Sequence, residues 1–345
     1  MTILPQDHKV NVSLLSSVFK NTSATYKFYW FLSIIECIEE GKDEIEKREL
    51  FARMISNSWY TVNYFHSSFG KQDKIQDAVE KIKALQNFAL DEKKNVLLTN
   101  LLNSTNKDIT KQLNHFNANV PYKFLSPWLG THCEKDMYRM SQENYNLPPY
   151  ALYSDRILIQ PAWKDYFHKN SGLLKDFCFW NLTLFLQARN PNVPNIPNKL
   201  KRPGTRGSLL KHKKDFWDIV MSETGPINCI YTQKQLNIGE YAVEHFIPFQ
   251  FVSHDLMWNL FPADPSFNSS KGDKLPPLDH YFDEFYQLQK EAIRIIKKRN
   301  DKNTFLEDYI TLFHGLNISK DKYREHIEPL ITIAHNNGFQ FMKVS

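Results

Sequence analysis

The residues with the clearest chemical potential lie between Glu244 and Lys271. A carboxylate and an imidazole are adjacent at Glu244 and His245, and a carboxamide follows at Asn259. A second carboxamide at Asn268 and an ammonium group at Lys271 complete the set. Hydrolysis of a phosphodiester needs a hard cation held by oxygen ligands, a base that activates water and a positive group that holds the phosphate. This one segment offers all three, so it predicts a nuclease active site.

Taken singly, each of these residues has an ordinary structural explanation. A Glu-His pair is usually a surface pair or a satisfied polar pair, and the two asparagines could simply cap helices or form turns. Lys271 precedes Gly272, as a lysine often does at a helix C-terminus. The joint spacing of the five residues favours the catalytic interpretation over these separate ones.

Short elements are predicted to position these side chains. Two strands, at residues 228–232 and 241–246, lead to the histidine. A turn of helix is predicted at residues 268–271, which would bring Asn268 and Lys271 to one face because they are three positions apart.

The segment resembles the HNH endonuclease family, whose fold is a small ββα-metal finger. Its spacing is similar to that of the HNH domain of RNA-guided CRISPR effectors, in which asparagine replaces the last histidine. Ile247-Pro248 after the histidine and the Asn268-Ser269-Ser270-Lys271 run also resemble the family pattern. The resemblance covers roughly residues 225 to 277 of the 345.

The resemblance implies a role for each of the five residues. Glu244 and Asn268 would be the oxygen ligands of a divalent cation, Mg²⁺ or Mn²⁺. His245 would be the general base, since an imidazole titrates near neutral pH. Asn259 belongs to the same catalytic set, but its role would be structural, because it would tie the histidine loop in place. Lys271 would contact a phosphate.

The sequence departs from the family pattern in three ways. Glu244 stands where aspartate is more common, and Asn268 stands where histidine is more common. Many relatives hold the finger together with two CxxC pairs that bind zinc, but only Cys229 remains here, so no structural zinc is expected. Packing must hold the finger instead, and the apolar residues available for it are Phe246, Phe249, Phe251, Trp258, Leu260 and Phe261.

Three further polar residues have more than one interpretation. His254 and Asp255 could be a second acid/base pair or a substrate contact, although a hydrogen bond that orders their loop is favoured. His212 is interpreted as part of the basic segment that surrounds it.

That basic segment runs from Arg189 to Lys214 and contains no acidic residue. Its prolines and glycines exclude one continuous helix. An exposed basic loop could follow a phosphate backbone, and a solvated linker is the alternative. The candidate nucleic-acid contacts are Lys199, Lys201, Arg202, Arg206, Lys211, Lys213 and Lys214.

The pattern of apolar residues predicts a mainly α protein with a small α+β insertion. Residues 1–118 are predicted to be a helical domain, and residues 119–218 a mixed α/β region that ends in the basic segment. Residues 219–277 are predicted to be the ββα-metal domain, and residues 278–345 a C-terminal helical region. In the mixed region, prolines predict turns and short strands up to residue 149.

Composition is consistent with a folded protein in a reducing compartment. Hydrophobic residues make up 42% of the chain and charged residues 23%, which argues against disorder. The four cysteines form no CxxC pair, and the longest apolar run is too short to span a bilayer. The high aromatic content, 14%, is interpreted as core packing rather than base stacking. A cytoplasmic protein without a signal peptide or a membrane partner is expected.

The sequence therefore predicts a metal-dependent HNH endonuclease that hydrolyses DNA, with DNA favoured over RNA and a role in restriction or anti-phage defence considered by analogy. Two alternatives remain open: a non-catalytic nucleic-acid-binding or scaffold subunit, and a nuclease that is active only within a partner complex. Net charge of +5 permits a polyanionic partner without requiring one. A homodimer and a partner protein are both compatible with the sequence.

Overall fold

The computed structural model describes residues 4–131, 133–203 and 208–344. Most of these residues are helical and the sheets are small, so the prediction of a mainly α protein is confirmed. The chain forms two compact units, one comprising Met1–Pro191 with Ile196–Pro203 and the other Asn192–Asn195 with Gly204–Ser345. The division into four domains stays a prediction.

The first unit is a helical body with one small sheet. Its helices and strands, in chain order, are α1 (Val12–Ser17), α2 (Tyr26–Glu39), β1 (Glu44–Glu46), α3 (Lys47–Asn63), α4 (Lys74–Gln86), α5 (Lys94–Asn103), α6 (Lys107–Asn114), α7 (Val120–Lys123), α8 (Ser126–Leu129), α9 (Glu134–Glu143), β2 (Tyr150–Leu152), β3 (Arg156–Ile159), α10 (Pro161–Lys169) and α11 (Ser171–Gln187). Short 3₁₀ turns lie at His115–Ala118 and Ile196–Lys199.

Helix α2 lies at the centre of this unit because it is apolar on nearly all sides. Ten of its fourteen residues are buried, as its almost unbroken apolar sequence requires. It packs against α3 and α11, and Trp30 donates its indole N–H to the Tyr150 hydroxyl at 2.9 Å. The sheet is antiparallel in the order β1-β3-β2, with Ile157 of β3 opposite Ile45 on one side and Leu152 on the other.

Although turns lie at residues 144–149 as predicted, the prediction of turns and short strands is wrong for residues 120–143. The chain forms α7, α8 and α9 there. Pro121 and Pro127 do not break these helices, because each lies in the first turn, where a proline removes no helical hydrogen bond.

The second unit contains the small strands and the C-terminal helices. Its elements are α12 (Leu210–His212), α13 (Asp218–Thr224), β4 (Ile227–Asn228), β5 (Gln235–Leu236), β6 (Ala242–His245), α14 (Phe249–Val252), β7 (Leu260–Ala263), α15 (Pro265–Lys271), α16 (Leu278–Arg299), α17 (Leu306–Phe313) and α18 (Lys320–Asn336). A π-helical turn joins α12 to α13 at Lys213–Trp217, and a 3₁₀ turn lies at Met257–Asn259.

Aromatic rings form the core of the second unit. Phe246 stacks on Phe285 of α16 with ring centroids 4.0 Å apart, and Phe261 meets the same ring edge-on at 5.5 Å. Phe246, Phe251, Trp258, Leu260 and Phe261 are all buried, whereas Phe249 is half-buried against the His245 ring. These contacts fix the short strands against long helices, which a two-stranded ribbon needs for stability.

Candidate active site

Strand β6 carries Glu244 and His245 at its end. It pairs with β7 in antiparallel fashion, with Glu244 opposite Phe261 and His245 opposite Leu260. Both polar residues are buried, at 8% and 2% exposure. A buried carboxylate and imidazole need specific partners, because unpaired polar groups are costly in an interior.

Lys271 of α15 is the partner of Glu244. Its ammonium donates to Glu244 Oε1 at 2.8 Å and to the His245 carbonyl oxygen at 3.0 Å. The Lys271 side chain is 0% exposed and that of Glu244 is 10% exposed. In this conformation the ammonium does not reach the surface, so the structure gives no support to the expected phosphate contact. Lys271 instead neutralises the carboxylate that the sequence predicts to bind metal.

Asp255 is the partner of the His245 ring. One carboxylate oxygen, Oδ1, lies 2.9 Å from His245 Nε2. The Asp255 side chain is 31% exposed, so it lies at the edge of the site. This contact holds the imidazole ring in one orientation, and a carboxylate beside the ring favours its protonated form.

The loop that carries Asp255 is held from two other elements. The His212 Nε2 atom at the end of α12 lies 2.9 Å from the Asp255 carbonyl oxygen. The Asp308 carboxylate of α17 accepts a hydrogen bond from the Met257 backbone N–H at 2.8 Å. His212 is therefore a structural contact of the finger as well as a member of the basic segment.

Asn259 ties the residues after the histidine to the start of β7. Its Oδ1 accepts from the Ile247 N–H and its Nδ2 donates to the Ile247 carbonyl, both at 2.8 Å. The Phe246 N–H also donates to the Asn259 carbonyl at 2.8 Å. Asn259 is completely buried, and its side chain satisfies both backbone groups of one residue, as only a carboxamide can. This is the geometry that a structural asparagine would have.

Helix α15 presents Asn268 and Lys271 on one face. Asp264 caps the helix by accepting from the Ser266 N–H at 3.0 Å, and Pro265 occupies its first turn. Asn268 is half-buried, and its carboxamide makes no hydrogen bond within the described part of the chain. Because Lys271 contacts Glu244, the helical spacing brings Asn268 to the same side of β6.

These donors fit a hard divalent cation. Glu244 supplies a carboxylate, one oxygen of which is held by Lys271, and Asn268 supplies a carboxamide oxygen. Within residues 4–131, 133–203 and 208–344, no cluster of three or more His, Cys, Asp or Glu side chains could hold a metal ion. A metal at this site would therefore take its other ligands from water and the substrate, as Mg²⁺ commonly does.

Cys229 takes part in packing rather than in a cysteine cluster. It is buried with a free thiol, and its Sγ accepts a hydrogen bond from the Asp264 N–H at 3.4 Å. The thiol thus lies beside the cap of α15 and helps to position the start of that helix.

The basic segment is not one uniform exposed loop. Lys199 is 0% exposed, with its ammonium 5.3 Å from the centre of the Phe65 ring. Lys213 donates to the Tyr241 carbonyl at 2.7 Å, just before β6. Four other members of the segment are exposed: Lys201, Arg202, Lys211 and Lys214. Arg206 lies outside the described residues.

Asp255 has a partner that the sequence does not predict. The hydrogen bond favoured for it from the sequence orders its own loop, whereas in the structure its carboxylate lies against the His245 ring. The available signal was a carboxylate ten positions after the imidazole (245 to 255) in the connection between paired strands. A connection that returns the chain to the partner strand can bring such a residue back to the strand end.

Comparison with known protein families agrees with this geometry. Residues 229–277 match the family model of the HNH endonucleases. No characterised protein sequence and no solved structure shows significant similarity to the chain. No helix in the described part of the chain is long and apolar enough to cross a membrane. The segment from Cys229 to Pro277, which contains Glu244, His245, Asn259, Asn268 and Lys271, is an HNH endonuclease domain.

Proposed function

We propose that the protein is a metal-dependent endonuclease that hydrolyses phosphodiester bonds of DNA. The observation that carries the proposal is the convergence of β6, α15 and the Asp255 loop around one imidazole and one carboxylate. His245 is held by Asp255 at 2.9 Å, and Glu244 faces the cationic end of Lys271 at 2.8 Å. The match to a nuclease family adds independent support.

His245 acts as the general base in this proposal. The Asp255 carboxylate orients the imidazole ring, and the imidazole takes the proton from the attacking water. The carboxylate then stabilises the imidazolium that forms and keeps the ring in one orientation. Asn259 holds the backbone of Ile247, two residues after His245, through two hydrogen bonds, and takes no proton itself.

Glu244 and Asn268 would hold the divalent ion, Mg²⁺ or Mn²⁺. Such an ion supplies positive charge that stabilises the phosphorane-like transition state and the leaving oxygen. Lys271 would have to move if the ion bound the same Glu244 oxygen, Oε1.

The exposed basic residues are proposed to contact the nucleic-acid backbone. Lys201, Lys211 and Lys214 are exposed, and so is Arg202, whose guanidinium lies 4.0 Å from the Asp91 carboxylate. Exposed basic groups bind phosphates through the release of counterions. Burial removes Lys199 from this set, and Lys213 is engaged with Tyr241. DNA as the substrate, and a part in restriction or anti-phage defence, rest on the resemblance to HNH nucleases alone.

A nuclease that is active only within a partner complex is the second candidate. One observation favours it, because the buried Lys271–Glu244 ion pair occupies the carboxylate on which metal binding depends. A partner or a substrate that moved α15 relative to β6 would release Glu244.

The experiment is a plasmid-cleavage assay with supercoiled DNA in Mg²⁺, Mn²⁺ or EDTA. Wild-type protein should nick or linearise the plasmid in either metal and not in EDTA, and His245→Ala should lower the rate by at least about 100-fold. His280→Ala, which removes an exposed histidine of the same unit, is the matched control. Full activity of His245→Ala would refute the assignment of the base. Absence of cleavage of both DNA and RNA by the wild type would favour the second candidate.

A further inference from the structure

A cavity of about 520 Å³ lies in the first unit, which contains none of the candidate active-site residues. The loop before α2, the start of α4 and the segment from the 3₁₀ turn at His115–Ala118 to α8 surround it. Its lining includes Asn21, Tyr26, Lys27, Lys74, His115 and Lys123. The volume is in the range typical of small-molecule sites.

The charge of this lining has one sign. Lys27, Lys74, Lys123 and His115 contribute basic groups, and the described residues that line the cavity include no carboxylate. Positive charges around one concave space repel one another unless an anion lies between them. The lining therefore favours an anionic ligand.

The partners of these lysines leave much of that charge uncompensated. The Lys27 ammonium donates to the Val18 and Asn21 carbonyls at 3.1 and 3.4 Å, so its hydrogen-bond partners are neutral groups. Burial also lowers the pKa of Lys27 from its ordinary value, because desolvation disfavours the charged ammonium. Lys74 differs, because it forms an ion pair with Asp77 at 2.8 Å.

A second, smaller cavity continues the basic surface. It measures about 230 Å³ and shares Lys74 and His115 with the first cavity. It adds Lys81 and Lys111 as further cations, and Asp77, already paired with Lys74, is the one acidic residue among its described lining. An extended anion that entered the first cavity could therefore continue into the second.

Aromatic rings line the first cavity. Tyr26 is half-buried and meets Phe116 edge-on, with ring centroids 5.6 Å apart. The Tyr26 hydroxyl accepts from the Lys74 N–H at 2.8 Å, which fixes the orientation of the tyrosine ring. Phe116 is only 1% exposed, so Tyr26 is the ring of this pair on which a planar ligand group gains stacking energy.

We propose that these two cavities form a binding site for a nucleoside triphosphate or a phosphorylated nucleotide of similar size. The base and sugar occupy the larger cavity beside Tyr26. The phosphates lie between Lys27, Lys123 and His115 and extend toward Lys81 and Lys111. Asn21, Gln72 and Asn119 provide hydrogen-bonding groups for the base edge and the sugar hydroxyls.

The test is isothermal titration calorimetry of the full-length protein with four probes in EDTA: ATP, GTP, adenosine and inorganic tripolyphosphate. EDTA removes divalent ions, so the result does not depend on the metal site or on nuclease activity. ATP or GTP should bind with one-to-one stoichiometry, and both adenosine and tripolyphosphate should bind at least about tenfold more weakly, since each lacks half of the contacts. Failure of both nucleotides to bind at millimolar concentration overturns the proposal. Equal affinity of tripolyphosphate and ATP overturns the nucleotide assignment.

Variants locate the binding to this site. Lys27→Met and Lys123→Met should each weaken binding of the nucleotide about tenfold, because each removes one charge-assisted contact. Lys169→Met, an exposed lysine of the same unit outside the cavity lining, should leave the affinity unchanged. If Lys27→Met does not fold, Lys123→Glu is sufficient as a test, because Lys123 is exposed. Lys123→Glu should lower the nucleotide affinity more than Lys123→Met does. Unchanged nucleotide affinity in Lys123→Glu overturns the proposal.

A ten-nucleotide single-stranded DNA serves as the competing ligand. The DNA could bind with an affinity that Lys123→Glu lowers, and yet not be displaced by ATP. The surface would then be a nucleic-acid path, and the nucleotide proposal would be overturned. Displacement of the DNA by ATP at the measured ATP affinity supports the proposal.

Discussion

Glu244 has two candidate cationic partners that cannot both hold the same oxygen. The Lys271 ammonium lies 2.8 Å from Oε1, and a metal ion ligated by the same carboxylate oxygen would compete with it. Removing one member of a buried ion pair is strongly destabilising, because the other charge is left without compensation. A metal ion can restore that compensation at Glu244.

The first prediction follows from this competition. Lys271→Met should lower the free energy of unfolding in EDTA by about 3 kcal/mol, since Glu244 then lacks a partner. Mg²⁺ or Mn²⁺ should raise the melting temperature of Lys271→Met by more than that of the wild type. Thermal denaturation followed by circular dichroism, with and without metal, measures both effects. Lys274→Met, at an exposed lysine just after α15, is the control. An equal metal effect in Lys271→Met and wild type would show that the ion does not use Glu244.

Asp255 positions the base and does not itself touch the substrate in our proposal. Asp255→Asn should lower kcat by about tenfold or more with little change in KM, because the ring loses the carboxylate that orients it and stabilises its protonated form. Asp255→Glu should restore part of the rate by supplying a carboxylate again. Steady-state cleavage of a labelled oligonucleotide measures both parameters. A rise in KM at constant kcat would assign Asp255 to substrate binding instead.

The elements of the finger are short, so single side chains hold them together. Strands β6 and β7 have four residues each, and the chain between them is fixed by Asn259 rather than by a longer ladder. Asn259→Ala should lower the free energy of unfolding by about 2–4 kcal/mol, because it leaves the Ile247 N–H and C=O buried without partners. Urea denaturation measures the change, and Asn237→Ala, at an exposed site, should change stability by less than about 0.5 kcal/mol. A small effect at Asn259 would mean that water satisfies both groups.

How far the sequence predicts the structure depends on whether the signal is local. Helix α2 and helix α16 follow from long, strongly patterned runs, and the order of Glu244, His245 and Asn259 follows from family spacing. The helices α7 and α8 were not predicted, since Pro121 and Pro127 normally indicate turns and their place in a first turn is visible only once the helix start is known. The sequence also does not predict that Asp255 is the partner of His245 or that Lys271 is the partner of Glu244. Both are tertiary contacts that depend on how the Asp255 loop and α15 fold back onto β6.

At the scale of the whole molecule, the basic segment is continuous in sequence, but the exposure of its lysines differs between the two units. Lys199 lies in the first unit and is completely buried, whereas Lys211 and Lys214 are exposed in the second. Charge in the sequence therefore does not equal charge at the surface, and only the exposed lysines can contribute to attraction of a polyanion.

Burial of Lys199 has a consequence for stability against pH. Burial lowers the pKa of its ammonium to about 7, whereas in the unfolded chain it titrates near 10.5. Between these values the unfolded chain binds more protons, so the free energy of unfolding rises with pH. The rise attributable to Lys199 should be about 2 kcal/mol between pH 7 and pH 9.

Lys199→Met should lack this contribution and be more stable than wild type near pH 7, with the difference shrinking as pH increases. Chemical denaturation at several pH values measures it, and Lys201→Met, at an exposed lysine of the same segment, should keep the wild-type slope. Identical pH slopes for Lys199→Met and wild type would mean that Lys199 stays protonated in the folded protein.

Helix α15 also sets the tolerance of the site to insertions. Asp264 and Pro265 fix where the helix begins, and Gly272, with a φ of 56°, ends it. One extra residue within the helix before Asn268 would rotate all that follows by about 100° about the helix axis. Asn268 and Lys271 would then both leave the face that meets β6, although each would shift only slightly along the helix axis. The site therefore depends on which side of a two-turn helix faces β6. A change in the length of α15 should lower activity more than most single substitutions on its outer surface.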